Sequence, residues 1–258
     1  MADGMLINSL KGQVSEEEWA ARLDLAAMYR LTALYGWDDL IFTHISHRVP
    51  GPEHHFLINP YGMLFEEITA SSLVKVDLDG NVVQETPYFI NPAGFTIHSA
   101  VHAAADDHHV VMHLHTDDGV AVSAQAHGLL PITQTGMIAS HDLAYHGYEG
   151  VALNHDERER IVADLGDKHL LMLRNHGTLT VGSTAGECFL RMFFLERACS
   201  MQIRALSAGR ENLTTPDDEV QSMVQGQSNP AGLAVLANQL AWPALLRKLD
   251  RTCPEFRD

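Results

Sequence analysis

The sequence predicts an α/β fold in which a mixed or antiparallel sheet lies between helix layers. Along its 258 residues, stretches with apolar residues at helical spacing alternate with short extended apolar runs. Several of those runs are joined by proline-, glycine- or aspartate-rich turns of the hairpin kind, which argues against a purely parallel sheet. Helix-start and helix-stop residues flank the helical stretches.

Ser15 and Glu18 have capping-box spacing, and Trp19, Leu23, Ala26, Ala27, Leu31 and Leu34 follow at helical intervals until Gly36. "LIFTHISHRV" (40–49) and "HFLINP" (55–60) read as strands joined by "PGPEHH". "SSLVKVDLDGNVV" (71–83) reads as two short extended pieces around a turn. Pro92 and the alanine-rich stretch after it predict a helix to about residue 105, with His98 and His102 on one face. "VVMHLH" is a buried strand, and 118–128 a short helix ending at Gly128. Residues 129–150 read as loop with short strands. Asp156 caps a helix that Gly166 ends, and 169–182 is strand, turn and strand. Thr184 and Glu187 open a long helix to about Leu206. The polar link after it leads to a less structured tail, in which Pro243 limits helix to the residues beyond it.

Composition removes several function classes. With 33 acidic and 17 basic residues the formal charge is −16, so the surface as a whole repels nucleic acid and anionic membrane. No apolar run has bilayer-spanning length, and the N-terminus lacks a signal-peptide pattern. Cys188, Cys199 and Cys253 match no metal or redox spacing, and the first two fall in a predicted helix as buried thiols. A cytoplasmic protein is expected.

The chain holds 16 histidines, so a lone histidine means little. "VVMHLHTDD" (110–118) is different. Residues two apart on a strand share a face, so His113 and His115 project together while Val110, Met112 and Leu114 face a core. Such a pair can give two imidazoles to one metal, and His176 in "RNHG" is a candidate third ligand. The alternative at this level is a histidine-rich composition in which His176 only caps a loop. Asp117 and Asp118 either orient a ligand imidazole or cap the next helix.

"VVMHLHTDD", "LLMLRNHGTLTVG" and "INPYGMLFEEITASSLVKVDLDGNVV" together resemble the class II aldolase/adducin family. "YRLTALYGWDDLIFTHISHRVP", "NPAGFTIHSAVHAA" and "AYHGYEGVAL" are closest to the adducin head domain and its bacterial homologues. The resemblance runs from about residue 19 to 208. It implies a three-layer αβα sandwich around a mostly antiparallel nine-stranded sheet, with a domain at 15–208. A C-terminal extension at 209–258 then packs on that domain or at a subunit interface. It also implies a divalent metal on His113, His115 and His176, zinc first and manganese or iron as alternatives, a small-molecule substrate and a homotetramer.

The resemblance has departures. The family's enzymes move a proton with a glutamate four residues before a helix histidine; if His98 is that histidine, the position falls on Gly94. The asparagine of their phosphate loop corresponds to His44 in "THIS", a threonine-glycine pair to Tyr61-Gly62, and a serine pair to Pro92-Ala93. A sugar phosphate is therefore not the expected substrate. His44, Tyr145 and His141 are the catalytic candidates in place of the missing acid, with Arg48, His146, Tyr148 and Glu149 as weaker ones. The expected function is a divalent-metal-dependent lyase, cleaving by an aldol-type or decarboxylation reaction a small polar hydroxy-carbonyl or hydroxy-acid. The alternatives are a non-catalytic adducin-like assembly domain and a non-haem iron oxygenase.

Overall fold

Chain-local signals set the first helix of the computed structural model, which describes residues 9–150 and 157–258. Helix α1 (Glu16–Tyr35) starts where Ser15 Oγ accepts from the Glu18 amide and ends at Gly36, whose φ of 67° is left-handed. The second half of the capping box does not form. The Glu18 carboxylate instead meets buried Arg22 at 3.0 Å and Lys75 at 2.7 Å.

The sheet comprises β1 (His44–Arg48), β2 (Phe56–Ile58), β3 (Val74–Val76), β4 (Val110–Leu114), β5 (Leu143–His146), β6 (Leu170–Leu173) and β7 (Gly177–Gly182). Their order is β3-β2-β1-β4-β7-β6-β5. Every pairing is antiparallel except β5 with β6. The expected nine strands are thus seven among the described residues, and the sheet is mixed. Two segments account for part of the shortfall. After β3, Asp77 Oδ1 accepts from the Asp79 and Asn81 amides, which closes a tight loop, and the returning piece makes only a single bridge, Val76 to Val82. Within 129–150, Thr133 caps a helix (Gln134–His141) where short strands were expected, and one strand remains.

Alternation sorts the core into two layers. Ile45, Leu57, Met112 and Leu114 face α1 and the long helix Ala185–Leu206. Leu143, Leu170 and Met172 extend this face against Leu195 and Ala198. On the other face Val111, Leu171, Leu179 and Val181 meet the helix Pro92–Ala104 and the helix Glu157–Leu165. In chain order the first six helices are α1, α2 (Pro92–Ala104), α3 (Asp117–Ser123), α4 (Gln134–His141), α5 (Glu157–Leu165) and α6 (Ala185–Leu206). The expected cap of α5, Asp156, lies outside the described residues; Gly166 (φ 56°) follows its last turn.

The tail is more helical than its sequence suggests, with α7 (Asp218–Gln227), α8 (Pro230–Val235) and α9 (Trp242–Thr252). A π-helical turn over Leu236–Ala241 joins the last two and accommodates Pro243, which has no amide hydrogen to donate. Trp242 donates its indole N–H to Asp24 at 3.0 Å, and Trp242, Leu249 and Phe256 bury into the core beside α1. Each such burial stabilises by about 1.5–3 kcal/mol. Cys188 and Cys199 are buried free thiols, and no helix among the described residues is long and apolar enough to cross a membrane.

One buried acid ties α6 to the sheet. Glu196 accepts from Thr116 Oγ1, just past β4, and at 2.7 Å from Thr178 Oγ1 on β7. Burial pushes its carboxyl up to about 7 from 4.5, a rise that the two threonine hydroxyls oppose and Asp118 reinforces. The folded pKa lies above the unfolded one, so its contribution is complete below pH 4.5 and lost as pH rises through 7. Relative to Glu196→Gln, the wild type should lose up to about 3 kcal/mol of unfolding free energy between pH 4.5 and 8, measured by urea denaturation at each pH. A parallel pH dependence in the two proteins would show that folding does not shift the Glu196 carboxyl.

Candidate metal centre

His113 is the fourth residue of β4 and is 1% exposed; His115 stands just beyond the strand's end. Antiparallel register places His44 of β1 opposite His113 on one side and Leu179 of β7 on the other. His176 sits in the three-residue turn between β6 and β7. That turn bends at Asn175, with φ 57°. Gly177 serves clearance instead: a Cβ there would lie 2.3 Å from the Leu114 carbonyl oxygen and 3.1 Å from the His115 ring.

The ligand nitrogens of His113, His115 and His176 lie within 4.8 Å of one another. Their protonation follows from their outer partners. His113 Nδ1 is 3.0 Å from the Thr178 carbonyl, which can only accept, so Nδ1 carries the hydrogen and Nε2 is bare. His115 Nδ1 is 3.1 Å from Asp39 Oδ2, which turns its Nε2 toward His113. The two Nε2 atoms are 3.0 Å apart. A single cation can accept both nitrogens at that separation. Burial, followed by the neighbouring imidazoles, holds His113 well below the ordinary histidine range and lowers His176 to about 4, so both remain neutral donors. The residues therefore fit a divalent metal with three imidazole ligands and an open position. Asp39 is the participant that the sequence reading missed. "WDDLIF" offered a carboxylate pair, but its link to His115 spans 76 residues of chain. Asp117 and Asp118 lie in the first turn of α3, which Thr116 caps.

His44 is 7% exposed, with its ring centroid 5.3 Å from that of His113. It also explains Gly94. A Cβ on Gly94 would fall 2.3 Å from His44 Cδ2 and 2.5 Å from His44 Nε2. The imidazole occupies the space that any larger residue at 94 would need.

The other candidates stand elsewhere in the chain. Tyr145 points to the opposite sheet face, among the residues packed on α6; its hydroxyl accepts from the Leu129 amide and Arg174 lies 4.2 Å over its ring. His141 is exposed at the end of α4 and lines a cavity of about 360 Å³ with Asp142, His169 and Arg191. That cavity is larger than any opening at the histidines, yet it holds no comparable ligand set. His146 pairs with Asp164 at 2.7 Å, and Glu149 with Arg160. Tyr148 is 57% exposed with its ring 6.4 Å from His176. Arg48 hydrogen-bonds His54 at the surface.

Comparison with known proteins agrees with this fold. The family described as "Class II Aldolase and Adducin N-terminal domain" matches residues 23–203. A provisionally named aldolase class 2 protein of Caulobacter vibrioides is 67% identical, with both chains covered in full. Mouse alpha-adducin is 42% identical over 90% of this chain, which spans only 33% of the adducin. Among solved structures, an aldolase II superfamily protein from Pseudomonas syringae superposes with a TM-score of 0.91 at 52% identity, covering 97% of this chain and all of that one. An L-fuculose 1-phosphate aldolase from Glaciozyma antarctica gives 0.83 at 28% identity, covering 94% and 93%.

Two outcomes test the geometry. Gly94→Ala should destabilise the protein by about 1–3 kcal/mol through overlap with His44, and His44→Asn in the same chain should remove most of that penalty. Additive single-mutant effects in thermal or urea unfolding would show that the two residues do not share the space. Asp39→Asn should weaken metal binding by about 10- to 100-fold, read by competition with a chromophoric chelator.

Proposed function

Because the chain belongs to the class II aldolase and adducin N-terminal domain family, we propose that it is a cytoplasmic divalent-metal-dependent lyase. Its substrate is a small polar hydroxy-carbonyl or hydroxy-acid, cleaved by an aldol-type or decarboxylation reaction. The observation that carries this reading is the convergence of the His113 and His115 Nε2 atoms, 3.0 Å apart, with His176 beside them. Zinc is the ion that three neutral imidazoles and an open position suit best. When bound, it supplies Lewis-acid polarisation of the substrate oxygens.

The chain's own residues do the rest. His113, His115 and His176 hold the ion, and the Thr178 carbonyl and Asp39 fix the first two rings in ligating orientation. His44, beside His113, takes over the movement of the proton from the acid absent at Gly94. Phosphate recognition is disfavoured, because the Ser46 hydroxyl is already bonded to His98 and His102 at 2.5 and 2.6 Å. Within one chain neither His141 nor Tyr145 reaches the triad. Their place in the reaction belongs to a homotetramer, in which a neighbouring copy meets the site.

The likeness to mouse alpha-adducin, together with glycine at position 94, favours a second reading: a metal-binding assembly domain without catalysis. Elemental analysis and a turnover screen separate the two. The lyase reading expects about one metal ion per chain, lost in His113→Ala and His176→Ala, and zinc- or manganese-dependent cleavage of a hydroxy-keto acid without oxygen consumption. Protein that takes up no metal sinks the lyase reading. Full metal with no turnover across the hydroxy-acid and hydroxy-keto panel supports assembly.

A further inference from the structure

Behind His44 the structure buries three more groups in one line: His98 and His102 of α2, 2% and 4% exposed, and Ser46 of β1, 1% exposed. His98 and His102 are one helical turn apart and face the strand on which His44 and Ser46 are two residues apart, so the four meet edge to edge. The contacts run from His44 Nδ1 to His98 Nε2 at 2.8 Å, from His98 Nδ1 to Ser46 Oγ at 2.5 Å, and from Ser46 Oγ to His102 Nε2 at 2.6 Å. The line ends where His102 Nδ1 meets the His108 backbone carbonyl at 2.7 Å.

That carbonyl gives the line a direction. It can only accept, so His102 Nδ1 carries a hydrogen. Burial holds His102 and His98 neutral: the first is pushed down to about 3, the second well below the ordinary value. His102 Nε2 is therefore bare and must accept from Ser46. A serine hydroxyl has one hydrogen, and it is now committed, so Ser46 Oγ accepts from His98 Nδ1. His98 Nε2 is then bare and accepts from His44 Nδ1. The last atom in the line is His44 Nε2, left with a lone pair and lying along the backbone of Gly94, where no side chain intervenes.

We propose that Ser46, His98 and His102 are positioning residues that lock His44 in its Nδ1–H tautomer and present its Nε2 as a hydrogen-bond acceptor. The group it would engage on a ligand is a hydroxyl or other O–H donor, and an unprotonated carboxylate or phosphate oxygen would meet it lone pair to lone pair. This rests on the proposed site only for what His44 acts upon; the tautomer itself is a property of the folded chain. Ser46 is an orienting residue on this account, its hydroxyl engaged between His98 and His102.

The test is the nitrogen spectrum of the full-length protein labelled with 15N-histidine, with and without added zinc. His44 is assigned by its disappearance in His44→Asn. Long-range proton–nitrogen correlations should show His44 with a pyrrole-type Nδ1 and a pyridine-type Nε2 as a single tautomer. In Ser46→Ala that single pattern should be lost to a mixture, and Ser46→Thr, which keeps the hydroxyl, should restore it. A pyridine-type Nδ1 on His44 in the wild type overturns the proposal without Ser46→Ala needing to fold. So does a Ser46→Ala spectrum in which His44 is unchanged. Metal uptake is scored separately by elemental analysis. A locked His44 in protein that binds no metal would sink the lyase reading alone, and a metal-loaded protein with the opposite tautomer would sink this one alone.

Discussion

The register between β1, β4 and β7 is the constraint on which the site depends. It sets His44 opposite His113, and the two-residue period of a strand then decides every other side chain on that face. Ser46 falls opposite Val111, toward α2, while Ile45 and Met112 turn to the core under α1. A slip of one residue would bury the leucines and methionine where the histidines now stand and would expose the imidazoles to the opposite layer. The apolar residues between the histidines are thus what holds the histidines in place. Tyr29 of α1 fastens the same strand from the other layer, accepting from the Ile45 amide at 2.7 Å.

The two departures from the aldolase pattern that looked independent in the sequence are one physical event. An imidazole at 44 needs the volume beside residue 94, and glycine at 94 leaves it free. The polar groups behind the ring are then consistent with that placement. His98 and Ser46 are fully engaged with each other and with their neighbours, and nothing in that line offers spare donors to a phosphate.

Much of the fold was legible because its signals are local. Ser15, Thr184 and Gly36 cap helices where expected, and the alternation in "VVMHLH" placed His113 on the correct side. What escaped was either a masked local signal or a non-local one. The helix at 134–141 depends on Thr133 as a cap within a stretch full of apparent breakers. The helical tail depends on a π turn around Pro243 and on contacts of Trp242 with a helix more than two hundred residues earlier. At the site, the triad was legible from H-x-H plus N-H-G, because both motifs lie in strands or their turns. Asp39 was not, since only folding brings it to His115. Tyr145 and His141 were expected from a segment that in the resembling family lies near a neighbouring subunit's metal; within one chain, alternation along β5 sends Tyr145 to the far face.

Thr178 faces two ways. Its hydroxyl donates to Glu196 beneath the sheet, and its carbonyl receives the hydrogen that orients His113. Thr116, which follows His115 in the chain, holds the same carboxylate from just past β4. Helix α6 therefore reaches His113 and the end of β4 through the sheet. A substitution along that helix has a short mechanical route to the imidazoles, with the histidines themselves unchanged.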